Sequence, residues 1–310
     1  MKEFTIVSSE EGQRLNKYLK RILPEASESF LCRMIRKKNI KVNDKAADVG
    51  TRLSCGDVVK IFFSDETYEK FAGSSSGADT SAYDNAFKTL KGIKIVYEDD
   101  DIVILYKPSG ILAQRSSEKD LSINEYLIGY LLDKNVVSSS SLRSFRPSVI
   151  NRLDRNTSGL IMCSKTLKGA DELSLLIRER RIRKYYKAVC KGIISNESEM
   201  TAFLKKDEEN NKVQVTDQYR NGYSKIITVI KPIKTYEDRT DIEVELITGK
   251  THQIRAHLSH IGHPILGDTK YGDMSFNKKY GKYYQELCAY KLVFPDDCRI
   301  GSWNGLNVTI

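Results

Sequence analysis

Between Gly73 and Ser81 the chain reads Gly-Ser-Ser-Ser-Gly-Ala-Asp-Thr-Ser, with no side chain that a core would bury. Burial within such a stretch cannot offset the entropy of ordering it, so it reads as a flexible linker. A chain of 310 residues divided in this way must build two cores, one on each side. Composition changes from Ser64 onward, which sets the expected division: a small unit over 1–63, a flexible linker over 64–90 and a larger unit over 91–310. Hydrophobic residues make up 40% of the chain, enough for real cores and against wholesale disorder.

In the small unit, Leu15, Tyr18, Leu19 and Ile22 fall at helical spacing. After a Pro24-Glu25-Ala26-Ser27 break, Phe30, Leu31, Met34 and Ile35 mark one face of a second helix over 29–38. That helix also carries Arg33, Arg36, Lys37 and Lys38. Short strands are expected at 40–43 and 58–63. Residues 1–63 hold 13 Lys and Arg against 8 Asp and Glu, a net of +5 out of +9 for the whole chain. The excess charge is therefore concentrated here, and it suggests a polyanionic partner, either nucleic acid or an anionic membrane surface.

Other classes fall away. No run approaches the roughly 18 to 20 apolar residues of a spanning helix. Met1 to Glu10 meets charge before a signal-peptide core could form. Cys32, Cys55, Cys163, Cys190, Cys288 and Cys298 are scattered without a Cys-x-x-Cys pair, as expected of reduced thiols in a cytoplasmic protein. After Lys91, strands are expected at 93–97, 102–106, 160–164, 185–190, 226–230 and 242–247, and helices at 122–133, 168–180 and 251–260. Loops are expected at 138–141 and 205–212. The absence of regular strand–helix–strand spacing argues for an α+β fold.

Three segments could carry chemistry. Asn151 to Leu160 sets Asp154 between Arg152 and Arg155 on a polar loop that leads into an apolar strand. A neighbouring guanidinium would hold the carboxylate ionised, and a positioned carboxylate can act as a nucleophile; a structural ion pair is the competing reading. Thr248 to His257 contains Gly-Lys-Thr, but a phosphate-binding loop needs Gly at 244, where Val stands. All four histidines fall between His252 and His263, yet no carboxylate or cysteine lies among them, so a helix presenting Arg255 to a phosphate or to Asp154 is expected instead of zinc. Arg178 to Lys187 gathers basic residues, Arg183 and Lys184 included, ahead of Tyr185 and Tyr186. Cations beside stacking aromatics suit RNA, and a solvated helix end gives the same pattern.

Together these segments change the reading. Asn151 to Leu160 resembles the H-R-L-D-x-x-T-S-G-L signature of the RluA-type pseudouridine synthases. Tyr106 to Leu112 resembles their N-K-P-x-G-L/I-L segment, Lys184 to Gly192 their K-x-Y-x-A-x-x-x-G strand, and Thr248 to Gly272 their T-G-R-T-H-Q-I-R-x-H-L…G-H-P-I-x-G-D-x-x-Y-G stretch, all in family order. Residues 12–63 resemble the alpha-L RNA-binding module of the ribosomal large-subunit branch.

The resemblance implies a mixed, largely antiparallel sheet in the catalytic domain, and isomerisation of uridine to pseudouridine without cofactor or metal. It implies Asp154 as nucleophile, attacking ribose or base. Tyr186 would stack on the target base, with Tyr185 as the alternative, Arg255 would pair with Asp154, and Arg152 would contact RNA. The implied partner is structured RNA, 23S ribosomal RNA first and transfer RNA as the alternative, with neither membrane nor obligate protein partner. Asn151 and Gln114 stand where the family has His, which opens altered substrate choice. A catalytically silent assembly factor with the same fold is the competing function, although Asp154 is intact.

Deleting residues 1–63 should weaken RNA binding and flatten its salt dependence, because fewer phosphates are neutralised. Affinities at two salt concentrations test this; unchanged values refute the role.

Overall fold

The computed structural model describes residues 1–72, 80–207 and 212–310. In the small unit, strand β1 (Lys2–Thr5) precedes helices α1 (Leu15–Ile22) and α2 (Glu28–Arg36). Strands β2 (Ile40–Val42), β3 (Lys45–Ala46) and β4 (Val58–Ile61) follow, and then helix α3 (Asp65–Ala72). The strands form an antiparallel sheet in the order β1-β4-β2-β3. Ser27 caps α2 by accepting the Phe30 amide hydrogen bond at 3.2 Å, satisfying one otherwise unpaired donor. Leu15, Leu19, Leu31, Ile35, Ile40, Val59 and Ile61 bury into one core. Each such side chain contributes about 1.5–3 kcal/mol by leaving water.

The expected flexible linker over 64–90 is corrected in part. Helix α3 is amphipathic enough to place Tyr68 and Phe71 against the small unit's core, with the Phe71 ring 4.5 Å from that of Phe30. Helix α4 (Ser81–Thr89) puts Tyr83 and Phe87 against the larger unit. Both were hidden by their short length and polar composition. The Gly-Ser centre at 73–79 lies outside the described residues.

The larger unit continues with β5 (Lys94–Glu98), β6 (Ile102–Lys107), α5 (Ile123–Asp133), β7 (Ser148–Val149), β8 (Ser158–Ser164) and α6 (Leu167–Arg178). Five strands follow: β9 (Arg183–Lys191), β10 (Ser198–Asp207), β11 (Lys212–Thr216), β12 (Ser224–Thr235) and β13 (Arg239–Leu246). Helices α7 (Gln253–His260) and α8 (Met274–Lys279) and strands β14 (Leu287–Val293) and β15 (Asn307–Thr309) complete it. One sheet runs β11-β10-β12-β13-β9-β14-β8-β6-β5, with β7 pairing β8 and β15 pairing β14. Residues 205–207, expected in a loop, end β10, and Lys212 opens β11; their charged side chains masked the strand, and 208–211 lie outside the described residues.

Sequence pattern explains the layering. β6 reads Ile-Val-Ile-Leu-Tyr-Lys because it is covered on both sides: Val103 and Leu105 face α5, while Ile102 and Ile104 face the α6 side. β13 alternates instead, burying Thr240, Ile242, Val244 and Leu246 on the face that α7 covers. Among the described residues no helix is long and apolar enough to cross a membrane. The two units touch where Arg21 donates to the Ser144 carbonyl and the Ser144 hydroxyl donates to the buried Glu10 carboxylate.

Among the named strands, β8 and β14 form the one parallel pair, at Ser158–Cys288 and Gly159–Ala289. A Cβ on Gly159 would lie 2.2 Å from the Ala289 carbonyl oxygen, and its φ of +116° is left-handed. Gly159→Ala therefore combines backbone strain with overpacking and should cost about 2–5 kcal/mol. The urea unfolding midpoint checks this.

Candidate active site

The loop from Asn151 to Thr157 leaves β7 and turns into β8. Its backbone closes a turn in which the Thr157 amide donates to the Asp154 carbonyl at 3.1 Å. Contacts from three directions fix that turn. The Asn151 side-chain oxygen accepts from the Met162 amide at 2.7 Å, tying the loop's start to β8. Thr157 Oγ1 accepts from Gln285 at 3.1 Å, tying its end to the segment before β14. The Arg155 carbonyl accepts from the Gly110 amide and from Lys107, both at 2.9 Å. With so much of its loop pinned, Asp154 keeps its side chain 26% exposed and available to a ligand.

Helix α7 brings the partner for Asp154. Its start is nailed to β12 by Gln253, which donates to the Ile227 carbonyl at 3.1 Å and to Thr228 at 3.0 Å while accepting from Thr248 and the Lys250 amide. Two residues on, buried Arg255 donates from Nη1 to Asp154 Oδ2 at 2.8 Å. It also forks onto Asp268, with Nε to Oδ2 at 2.7 Å and Nη2 to Oδ1 at 2.9 Å. Burial works against the charge of Arg255, but the Asp268 bonds and both carboxylates more than offset it and hold its pKa above the ordinary value. Burial likewise works against Asp268, and Arg255 with two backbone amides holds that carboxyl below its usual range. Asn277 of α8 donates to the Asp268 carbonyl at 3.0 Å, so the fork is anchored in turn.

Strand alternation separates the two tyrosines. Tyr186 lies in the core around α7, and its hydroxyl pKa is pushed up by burial and then by the charge of Asp154. Tyr185 lies in a different setting, with the Arg183 guanidinium 5.2 Å and the Lys291 amine 5.1 Å from its ring. The four histidines have four separate partners: His252 meets Tyr271, His257 meets Thr228, His260 meets Asp217 and His263 meets the Lys191 carbonyl.

Asp154, Arg255 and Tyr186 are thus brought together, whereas the basic residues are dispersed. Arg152 is exposed beside Asp154. Arg33, Arg36, Lys37 and Lys38 are exposed on α2 and the turn after it, in the small unit. Arg183 is forked onto Glu245 at 2.8 and 3.0 Å, which neutralises much of its charge. Lys184 is half-buried, and burial together with the charge of Arg180 holds its pKa down.

Sequence reasoning missed two supporting residues. Asp268 was visible only as part of the matching Gly-Asp-x-x-Tyr-Gly pattern. Lys107, fully buried, donates to the carbonyls of Pro108, Ile111 and Arg155 at 3.0, 2.8 and 2.9 Å and so braces the Asp154 turn. Burial pulls its pKa down to about 8, against an opposing pull from Asp154. Its unfolded value is about 10.4, so between about pH 8 and 10.4 the unfolded chain binds more protons at this site than the folded one. The stability of wild type relative to Lys107→Met should therefore rise with pH across that window, by about 1 kcal/mol per pH unit. Urea unfolding of both proteins at pH 7.5 and 9.5 checks the sign.

Comparisons with known proteins show the family. The family model described as RNA pseudouridylate synthase matches residues 101–260. Ribosomal large subunit pseudouridine synthase C of Rickettsia bellii is 31% identical, covering 95% of this chain and 95% of that protein. The protein of the same name from Vibrio vulnificus is 31% identical over 86% of this chain and 78% of its own length. An uncharacterised RNA pseudouridine synthase of Mycoplasma genitalium is 29% identical over 94% of this chain and 89% of that protein. Among solved structures, human RNA pseudouridylate synthase domain containing 4 has the same fold, with a TM-score of 0.57 at 20% identity over 74% of this chain and 91% of that one. With the family model matching more than half of the chain and relatives 31% identical along most of its length, the chain belongs to the RluA-type RNA pseudouridine synthase family.

Proposed function

We propose that this enzyme converts uridine to pseudouridine in large-subunit ribosomal RNA, with Asp154 as its nucleophile. The observation that carries the reading is the 2.8 Å pair between Asp154 and a guanidinium already forked onto Asp268. A carboxylate so held is ordered and still partly open to solvent. The reaction is an isomerisation: the N1–C1′ bond breaks, the base turns, a C5–C1′ bond forms, and the C5 proton leaves as N1 gains one. Asp154 acts at the ribose or at the base; Arg255 orients the carboxylate for the attack, and the carboxylate is regenerated when the bond to it breaks.

The target nucleotide leaves its stack to reach Asp154, at a cost of a few kcal/mol. Tyr186 offsets part of this by stacking on the base. Burial and the neighbouring carboxylate keep its phenol neutral, which suits a stacking platform. Arg152, exposed on the same loop, takes a backbone phosphate. Residues 1–63 act as an alpha-L RNA-binding module, with Arg33 and Arg36 of its second helix and Lys37 and Lys38 of the turn after it on the RNA. Arg183 and Lys184 add weaker, partly neutralised charge. The large-subunit substrate is supported by relatives named ribosomal large subunit pseudouridine synthase, and a ribosomal substrate implies the cytoplasm.

Pseudouridine mapping of total RNA from cells with and without the gene tests the substrate. Loss of one or a few signals in 23S ribosomal RNA is expected, whereas loss in transfer RNA overturns the substrate and keeps the chemistry. Asp154→Ala should abolish isomerisation with RNA affinity changed less than about twofold; residual turnover would remove the nucleophile assignment.

A further inference from the structure

His252 precedes α7 in an unusual backbone state. Its φ of +53° and ψ of +15° are left-handed, a conformation uncommon for any residue but glycine. The side chain held there is mostly buried. Its Nδ1 lies 3.0 Å from the Tyr271 hydroxyl, and its Nε2 lies 3.9 Å from Asp154 Oδ2. The Tyr271 hydroxyl already accepts the Val213 amide of β11 at 2.8 Å. Its own proton is left to give, and His252 Nδ1 is positioned to take it. In a neutral imidazole whose Nδ1 accepts, Nε2 carries the hydrogen. That nitrogen faces the same Asp154 oxygen that Arg255 holds.

We infer that His252 is a positioning residue for the isomerisation, locked by Tyr271 as the Nε2–H tautomer so that it and Arg255 both address Asp154 Oδ2 and leave Oδ1 as the attacking atom. No hydrogen bond to Oδ1 is formed among the described residues, consistent with that division of labour. The groups facing His252 come from the catalytic turn (Asp154), α7 (Arg255) and the segment after it (Asp268, Lys270, Tyr271). Burial lowers its pKa, with Arg255 and Lys270 acting in the same direction and Asp154 and Asp268 against them, so the imidazole is neutral at neutral pH. Tyr271 also links β11 to the catalytic carboxylate, and its ring packs 5.3 Å from the Arg255 guanidinium.

The inference rests on Asp154 being the nucleophile, and the test separates the two. An RNA transcript carrying the mapped uridine is assayed with wild type, Asp154→Ala, His252→Asn and His252→Gln. Asparagine adopts the left-handed backbone more readily than histidine, so His252→Asn keeps the fold; its amide reaches Tyr271 but not Asp154. Glutamine places a donor near the position of Nε2. His252→Asn should lose about tenfold in kcat with KM unchanged, and His252→Gln should recover to within about threefold of wild type.

Wild-type kcat in His252→Asn, equal loss in both variants, or a change confined to KM each overturns the inference. Turnover by Asp154→Ala overturns instead the reading beneath it. Nitrogen-15 spectra of histidine-labelled protein give a readout independent of activity. His252 should appear as the Nε2–H tautomer and lose that fixed state in Tyr271→Phe; an Nδ1–H tautomer in wild type overturns the inference.

Discussion

Arg255 carries a charge into the protein interior, which is tolerable only where carboxylates meet it there. Asp268 supplies two hydrogen bonds and Asp154 a third, so the guanidinium is neutralised by one residue and oriented toward another. Much else in the larger unit serves that arrangement. Gln253 and His257 seat α7 on Thr228, Asn277 holds the Asp268 backbone, and Lys107 and Gln285 brace the Asp154 turn. Removing Asp268 would leave a buried cation with half its compensation, so its importance is structural and chemical at once.

The division between what could and could not be read from the sequence follows the range of the interactions. Asp154, Arg255 and Tyr186 were legible because each sits in a local pattern whose spacing is itself informative. The two-sided strand β6 and the amphipathic α1 were legible for the same reason. Lys107 was not, because a lysine in an otherwise apolar strand gives no sign that three carbonyls await it in the fold. Strand β10 was missed because only Ala202 and Leu204 are buried in it, and the exposed Lys205 and Lys206 that follow hid the alternation. The partition of the basic residues was equally invisible: Arg183 reads as a phosphate ligand until β13 brings Glu245 against it.

The small unit shows a different balance. Its core is complete without the larger unit, and α3 extends that core past the boundary that composition alone suggested. Its described hydrogen bonds to the larger unit gather at Ser144, which joins Glu10 and Arg21. Exposed Arg33, Arg36, Lys37 and Lys38 are thus carried on a unit with its own core, apart from the core that holds the Asp154–Arg255 pair.

The parallel contact between β8 and β14 has a consequence for how the molecule is made. Leu287 accepts from Ser158 across 129 residues of sequence, and Gln285 reaches Thr157 across 128. Contacts of such separation are slow to form, because the entropy of closing so long a loop must be met before they contribute. The loop bearing Asp154 is therefore synthesised well before Gln285 and Leu287, the residues that brace Thr157 and Ser158. A nascent chain carries the carboxylate for about 130 further residues before the segment that steadies it exists.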